Sequence, residues 1–392
     1  MPTDANAPPP KHPGKFLSEL MAAKGWTQDD LAAITGLSRQ GINYIIAGKR
    51  SVTPQMAIAL GAAFENDPAA WLQWNAQYEL AVTVTDRSTV ERRARLFSLA
   101  PIRDMQRRGW ISEADDTEGL EKSLGAFFGG PLDRDVAFPI AAKKTAPLDA
   151  LTPAERAWCF RARQLAAALP PTAPFAPRRL ASAEKQLREA AAFPKEARKV
   201  HRILSEHGIR FVVVEPLPGV KMDGAAFWLD KQNPVIALSL RFDRVDAVWF
   251  TLMHEFKHIE YSHWFSFDSN LISERDGKLT IPLSGDADEE QANRGAASAL
   301  IPSDELDSFI RRLAPLYSRD RIIQFAHRMR IHPGIIVGQL QYRGELGYSA
   351  HRELLAKVRT TLAETAFTDG WGQSISPALL QETPTEWQQK RA

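Results

Sequence analysis

At 392 residues, with 44% hydrophobic and 24% charged side chains, the chain has room for two or three ordinary domains, each with its own core. Its formal charge of +2 is too small to argue for nucleic acid on bulk electrostatics. No apolar run approaches the ~20 residues that span a bilayer. The single cysteine, Cys159, permits no internal disulfide, so a cytoplasmic protein with no membrane association is expected.

Residues 1–11 are polar and proline-rich, lack a basic or apolar leader pattern, and are expected to form a disordered arm. Dense helix signals follow over 12–82. Thr27 precedes an apolar stretch and has Asp30 three positions later, which predicts a capped helix over 28–35 burying Leu31 and Ile34 and stopping at Gly36. Ser38 caps the next helix, where Ile42, Ile45 and Ile46 share one face. Gly48 ends it, and Thr53-Pro54 and Asp67-Pro68 each supply a cap followed by a first-turn proline.

Two short helices joined across Gly36-Leu37 fit a helix-turn-helix, whose second helix enters the major groove of DNA. Arg39, Gln40 and Asn43 lie opposite its apolar face. Arginine pairs bidentately with guanine, and glutamine or asparagine with adenine. Gln28, Lys49 and Arg50 are placed to grip phosphates. The run His12-Pro13-Gly14, Thr27-Gln28, Leu37-Ser38-Arg39-Gln40, Gly48-Lys49-Arg50, Thr53-Pro54, Pro68 and Trp71-Leu72 resembles the Cro/C1-type helix-turn-helix of the HigA antitoxin family. The resemblance implies a five-helix bundle, the reading set Gln28, Ser38, Arg39, Gln40, Asn43, Lys49 and Arg50, and a homodimer on a palindromic double-stranded operator.

From Arg87 to Ser112 arginine dominates, and 146–180 is rich in proline and alanine. Residues 83–200 are therefore expected to be a helical connecting region, with Pro194 interrupting or starting a helix. Cys159, between Trp158 and Phe160, reads as a buried structural thiol. About three short strands are expected next, at 209–214, 225–229 and 235–240, before a long helix begins near Asp243. The chain as a whole is expected to be mainly α, with an α+β C-terminal domain over 201–348 and a helical tail over 349–392.

That long helix carries His254-Glu255-Phe256-Lys257-His258. Residues four apart share a helix face, so both imidazoles can reach one zinc ion. Zinc lowers the pKa of bound water toward ~7, and Glu255 can act on that water as general base. Roughly one chain in a hundred of this composition carries such a motif by chance, so a third ligand is needed before the motif means a site. Glu289, at the start of a helix-like run, is a candidate, with Glu290, about 100° around that helix, the competing one. Asn293 shares the face of Glu289 and can hydrogen-bond a liganding imidazole.

The segments 251–263 and 289–302 resemble the paired motifs of the ImmA/IrrE-type metallopeptidases. Ala292-Asn293 and Leu300 to Pro302 align with the second motif and put the ligand on Glu289. The resemblance implies a zincin-like fold, a zinc cofactor, and cleavage of a specific protein substrate or toxin partner, with 234–240 as an edge strand to which an extended substrate could add. Two positions depart from the family: Lys257 replaces a small or apolar residue, and Gly295 replaces phenylalanine. The rival is a transcriptional repressor or antitoxin whose zinc domain is only a structural or sensing module. Tyr261, His263, His327 and His332 are candidates by residue type for stabilising an oxyanion, with no spacing that places them.

Overall fold

The computed structural model describes residues 11–83, 87–130, 132, 151–169, 173–263, 265–269, 273–275, 278–280 and 287–369. Residues 1–10 of the expected arm and the tail tryptophans Trp371 and Trp387 lie outside them. The chain divides into two units, Met1–Val90 and Glu91–Ala392.

The first unit contains five helices: α1 (Pro13–Lys24), α2 (Gln28–Thr35), α3 (Arg39–Ile46), α4 (Pro54–Phe64) and α5 (Pro68–Val82). Their starts follow the sequence signals. Thr27 and Asp30 close a reciprocal capping box, Ser38 Oγ accepts from Gly41 N–H, and Thr53 and Asp67 cap helices that begin with proline. Gly36, at φ 70°, turns the chain between α2 and α3. Leu17, Leu31, Ile42, Ile45, Leu60 and Trp71 fill the core. Ile34 departs from expectation: it is 49% exposed, because only Leu31 of the α2 pair faces inward. Gly14 matters for packing, since a Cβ there would lie 1.9 Å from the Ile45 carbonyl oxygen; the start of α1 presses directly on the backbone of α3.

The helix α6 (Arg87–Leu99) runs across the boundary between the units, and the second continues with α7 (Ile102–Arg107), α8 (Thr117–Phe128) and α9 (Pro153–Ala168). After them come α10 (Leu180–Ala190), a 3-10 turn opened by Pro194, and α11 (Val200–Glu206). Strands β1 (Arg210–Val213), β2 (Met222–Trp228) and β3 (Pro234–Leu238) precede α12 (Val245–Glu260). Then follow β4 (Phe265–Ser269), β5 (Ser273–Arg275), β6 (Lys278–Thr280), α13 (Ala287–Leu300), α14 (Ser303–Leu313), α15 (Arg319–Met329), α16 (Pro333–Tyr342), α17 (Arg359–Ala363) and β7 (Phe367–Thr368).

The main sheet has five strands in the order β4-β2-β3-β1-β7, where about three were expected, and β5 and β6 form a separate hairpin. It is mixed: β3 runs antiparallel to β2, with Ala225 opposite Ala237, and parallel to β1, with Phe211 opposite Ile236. Both faces are covered. Phe211, Val213, Ala226, Ile236 and Leu238 point into a core shared with α10 to α17. Val212, Ala225, Phe227, Val235 and Ala237 alternate to the other side, against α8 and α9. Double burial explains why β1 and β3 read as unbroken apolar runs.

Two expectations change here. Residues 91–200 do not connect lobes: Leu124, Trp158, Phe160 and Leu165 supply one side of the sheet's core, and Leu187 and Val200 the other. The strand at 234–238 is central, not an edge, since β2 and β1 occupy both of its flanks. The tail folds back, with β7 pairing parallel to β1 and Asp369 taking hydrogen bonds from buried Arg108 at 2.6 Å and from Trp110 at 3.0 Å. Cys159 is fully buried, its Sγ 3.6 Å from Met222 Sδ, and burial pushes the thiol well above its ordinary range. It is a packing residue. Among the described residues no helix is long and apolar enough to cross a membrane.

Candidate reading helix and candidate metal centre

In the first unit, the Ser38 cap and the turn at Gly36 aim the N-terminal end of α3 outward. Arg39, Gln40, Asn43, Lys49 and Arg50 are exposed and Gln28 is half-buried. Asn43 Nδ2 donates to Gln28 Oε1 at 3.3 Å, which ties the start of α2 to the outer face of α3. Gln40 Nε2 donates to Tyr44 Oη at 2.9 Å, and Arg39 Nε lies 3.3 Å from Asp29. Of the predicted reading residues, Gln28 and Asn43 thus hold each other, while Gln40 and Arg39 are held by their neighbours Tyr44 and Asp29. Tyr44 was not singled out in the sequence; its spacing of four from Gln40 was the available signal. Ser38 contributes through the cap rather than through a projecting side chain.

In the second unit, α12 crosses the sheet with His254, Glu255 and His258 wholly buried. The helix α13 brings Glu289 to them. His254 Nε2 lies 3.2 Å from Glu289 Oε2, His258 Nε2 lies 3.5 Å from Glu289 Oε1, and the two Nε2 atoms are 2.8 Å apart. These three side chains can offer ligand atoms that all lie within 4.8 Å of one another.

Small residues allow the approach. Ala292 and Ala296 are buried on α13, and a Cβ on Gly295 would sit 2.5 Å from Tyr261 Oη and 3.1 Å from Lys257 Cγ. Tyr261 thus occupies the space into which a phenylalanine at 295 would project. Glu255 has an equivalent allowance on the sheet side: a Cβ on Gly224 of β2 would come within 2.5 Å of its Oε1.

Lys257 Nζ turns away from the histidine pair and binds Glu184 of α10 at 2.8 Å and Glu260 at 2.5 Å. Burial alone would lower its pKa, but the two hydrogen bonds and the negative charges of both glutamates together outweigh it, and the net shift is upward. Asn293 does not hold an imidazole; its Oδ1 is buried with no hydrogen-bond partner among the described residues. The group that contacts His258 is His263, Nδ1 to Nδ1 at 2.9 Å. Residue type had marked His263 only as one of several possible oxyanion groups, and the turn that places it lies beyond any spacing rule. His332 is elsewhere, capping α16.

A helix-turn-helix family model matches residues 17–71. Virulence-associated protein A' of Dichelobacter nodosus is 34% identical over 73 residues, which are 18% of this chain and 64% of that protein. A HigA-family addiction-module antidote protein of Coxiella burnetii is similar at 29% identity over 18% of this chain and 79% of its own, with a TM-score of 0.18. An antidote protein assigned to a plasmid maintenance system of Nostoc punctiforme is 31% identical over 23% of this chain and 98% of its own, with a TM-score of 0.19. With TM-scores this low, the sequence match identifies the domain: the first unit carries a Cro/C1-type helix-turn-helix like those of antidote proteins. None of these relatives covers more than 23% of this chain, so the chemistry of the second unit rests on its own residues.

Proposed function

We propose that this chain is a DNA-binding transcriptional regulator of the antidote kind whose second unit is an ImmA/IrrE-like zinc endopeptidase acting on a specific protein partner. The observation that carries the second half is the convergence of His254, His258 and Glu289 from two helices. Two imidazoles and a carboxylate form a recognised catalytic zinc set, and bonds of ~2.0–2.1 Å to a tetrahedral ion imply ligand atoms roughly 3.3–3.4 Å apart. The histidine–glutamate separations, 3.2 Å to Oε2 and 3.5 Å to Oε1, lie close to that value, while the two Nε2 atoms, 2.8 Å apart, stand closer together than a tetrahedral ion sets them. A zinc ion held there supplies Lewis acidity at neutral pH. Glu255 takes the proton from the attacking water and passes it to the leaving amine. An extended substrate segment adds at β4, an outer strand of the sheet, rather than at the central β3.

On the DNA side, Arg39, Gln40 and Asn43 read base edges from α3, while Lys49 and Arg50 take phosphates. The protein binds as a homodimer on a palindromic operator. One observation favours the rival, in which zinc is only structural or sensing: both histidines and Glu255 are wholly enclosed.

Elemental mass spectrometry on wild type, His258→Ala and Glu289→Ala tests the site. About one zinc per wild-type chain, lost in both variants, is expected; a metal-free folded wild type removes the metallopeptidase reading. Glu255→Gln, which keeps the ligands, then separates the rivals. A partner protein that accumulates uncleaved in the variant supports the peptidase, and an unchanged partner supports the sensor. Arg39→Ala with Asn43→Ala should abolish binding to the DNA upstream of the protein's own coding region while the fold survives.

A further inference from the structure

Side chains on a helix lean toward its N-terminus, so a long residue reaches back over the one four positions earlier. Tyr44 does this on the outer side of α3. Gly41, Ile42 and Ile45 are the buried face of that helix, whereas Tyr44 is 39% exposed and its Oη accepts from Gln40 Nε2 at 2.9 Å. The backbone of Tyr44 is fixed as well. Gly48, at φ 70°, turns the chain after α3, and Lys49 N–H donates to the Tyr44 carbonyl at 2.8 Å. Tyr44 thus joins the turn that carries Lys49 and Arg50 to Gln40, in the first turn of the helix.

The first turn is the part of a recognition helix that meets base edges. A glutamine there has several free side-chain torsions, which must be frozen before its amide can make a bidentate pair with adenine. Freezing one such side chain at an interface corresponds to roughly 2–10-fold in affinity. The Tyr44 hydroxyl holds Gln40 before DNA arrives. An amide nitrogen carries a pair of hydrogens, so giving one to Tyr44 leaves the other, together with Oε1, available to a base. Arg39 and Asn43 lean instead on Asp29 and Gln28 of α2.

We propose that Tyr44 is a positioning residue of the reading surface: it presets the Gln40 amide for one base and sharpens sequence choice without itself touching DNA. The inference rests on the assignment of Gln40 to base reading given above, and the test separates the two.

The experiment is a double-mutant cycle on the full chain. Wild type first selects its preferred site from a random double-stranded DNA library. The Kd for that site and for an unrelated duplex is then measured for wild type, Tyr44→Phe, Gln40→Ala and the double variant. Phenylalanine keeps the ring and removes only the hydroxyl, at an exposed position, so the fold is retained. Tyr44→Phe should weaken the selected site roughly 2–10-fold and leave the unrelated duplex unchanged. It should also relax preference at the same base pair where Gln40→Ala loses it. In the Gln40→Ala background the tyrosine change should have no effect, since no amide is left to hold. Losses that add in the double variant would mean that Tyr44 Oη contacts DNA directly. That result, or an unchanged Kd in Tyr44→Phe, overturns the proposal while Gln40 keeps its role. A Gln40→Ala variant as tight and as selective as wild type would remove Gln40 from base reading, and the positioning role with it.

Discussion

Lys257 shows how a residue can look disruptive in sequence and prove structural. A cation beside two candidate metal ligands suggests a perturbed site, yet its ammonium bridges Glu184 and Glu260 and clamps α10 to α12. Replacing it by methionine keeps the stem's packing but leaves two carboxylates facing each other. Breaking a fully buried pair costs ~3–5 kcal/mol; these carboxylates keep about a quarter of their exposure, so ~2 kcal/mol is expected. Denaturant unfolding of Lys257→Met should show that loss with the zinc content unchanged. A variant as stable as wild type would mean the bridge contributes nothing, and lost zinc would mean the lysine does act on the site. At this scale the sequence was informative where helix period fixes direction: the spacing of four put His254 and His258 on one face of α12, whereas Glu289, on α13, was reached through the resemblance of its segment to a metallopeptidase motif. Asn293 and His263 could not be read by either route. Asn293 shares the correct face but meets no imidazole, while His263 depends on a left-handed turn at a serine, which no spacing encodes.

The same device starts one helix in each unit. His12-Pro13-Gly14 and His332-Pro333-Gly334 both place a histidine at the N-cap, with Nδ1 accepting from the glycine N–H at 2.9 and 3.1 Å. An acceptor Nδ1 must be unprotonated. Burial pushes both imidazoles below the usual 6.5, with Glu79 partly opposing the shift at His12. A base whose folded pKa is depressed contributes stability that is full above the unfolded pKa and fades as pH falls through the folded one. The window therefore opens at about 6.5 and extends to lower pH. Thermal melts between pH 7 and pH 5 should show wild type losing more than a His12→Asn, His332→Asn double variant, since asparagine caps without titrating. Parallel losses in the two proteins would exclude the caps as the origin. The two histidine caps were not read from the sequence, whereas the starts at Thr27, Ser38, Thr53 and Asp67 were, because Ser, Thr, Asp and Pro act locally. The strands β4 and β7 were not: β7 is two residues long and its partner is Val212, far back in the chain. Long-range pairing leaves little local trace.

At the scale of the whole molecule, each unit has its own core: Leu17, Leu31, Ile42 and Trp71 in the first, and the two faces of the sheet in the second. The candidate metal ligands lie entirely in the second, on α12 and α13. A ligand that binds only the folded form stabilises it by RT ln(1 + [L]/Kd), about 2.7 kcal/mol at a hundred times Kd. For a unit the size of Glu91–Ala392 that is a rise of roughly 4 °C. Scanning calorimetry of the metal-free chain, with and without zinc, should therefore move the transition of the larger unit and leave that of the helix-turn-helix unit where it was. Arg39→Ala with Asn43→Ala should leave this response to zinc untouched, and operator binding should survive a chelator. If both transitions rose together on adding zinc, the units would be one cooperative body, and metal occupancy would bear directly on the reading helix. In that case the sensing rival gains ground over the peptidase, because occupancy would itself be a signal delivered to the DNA-binding surface.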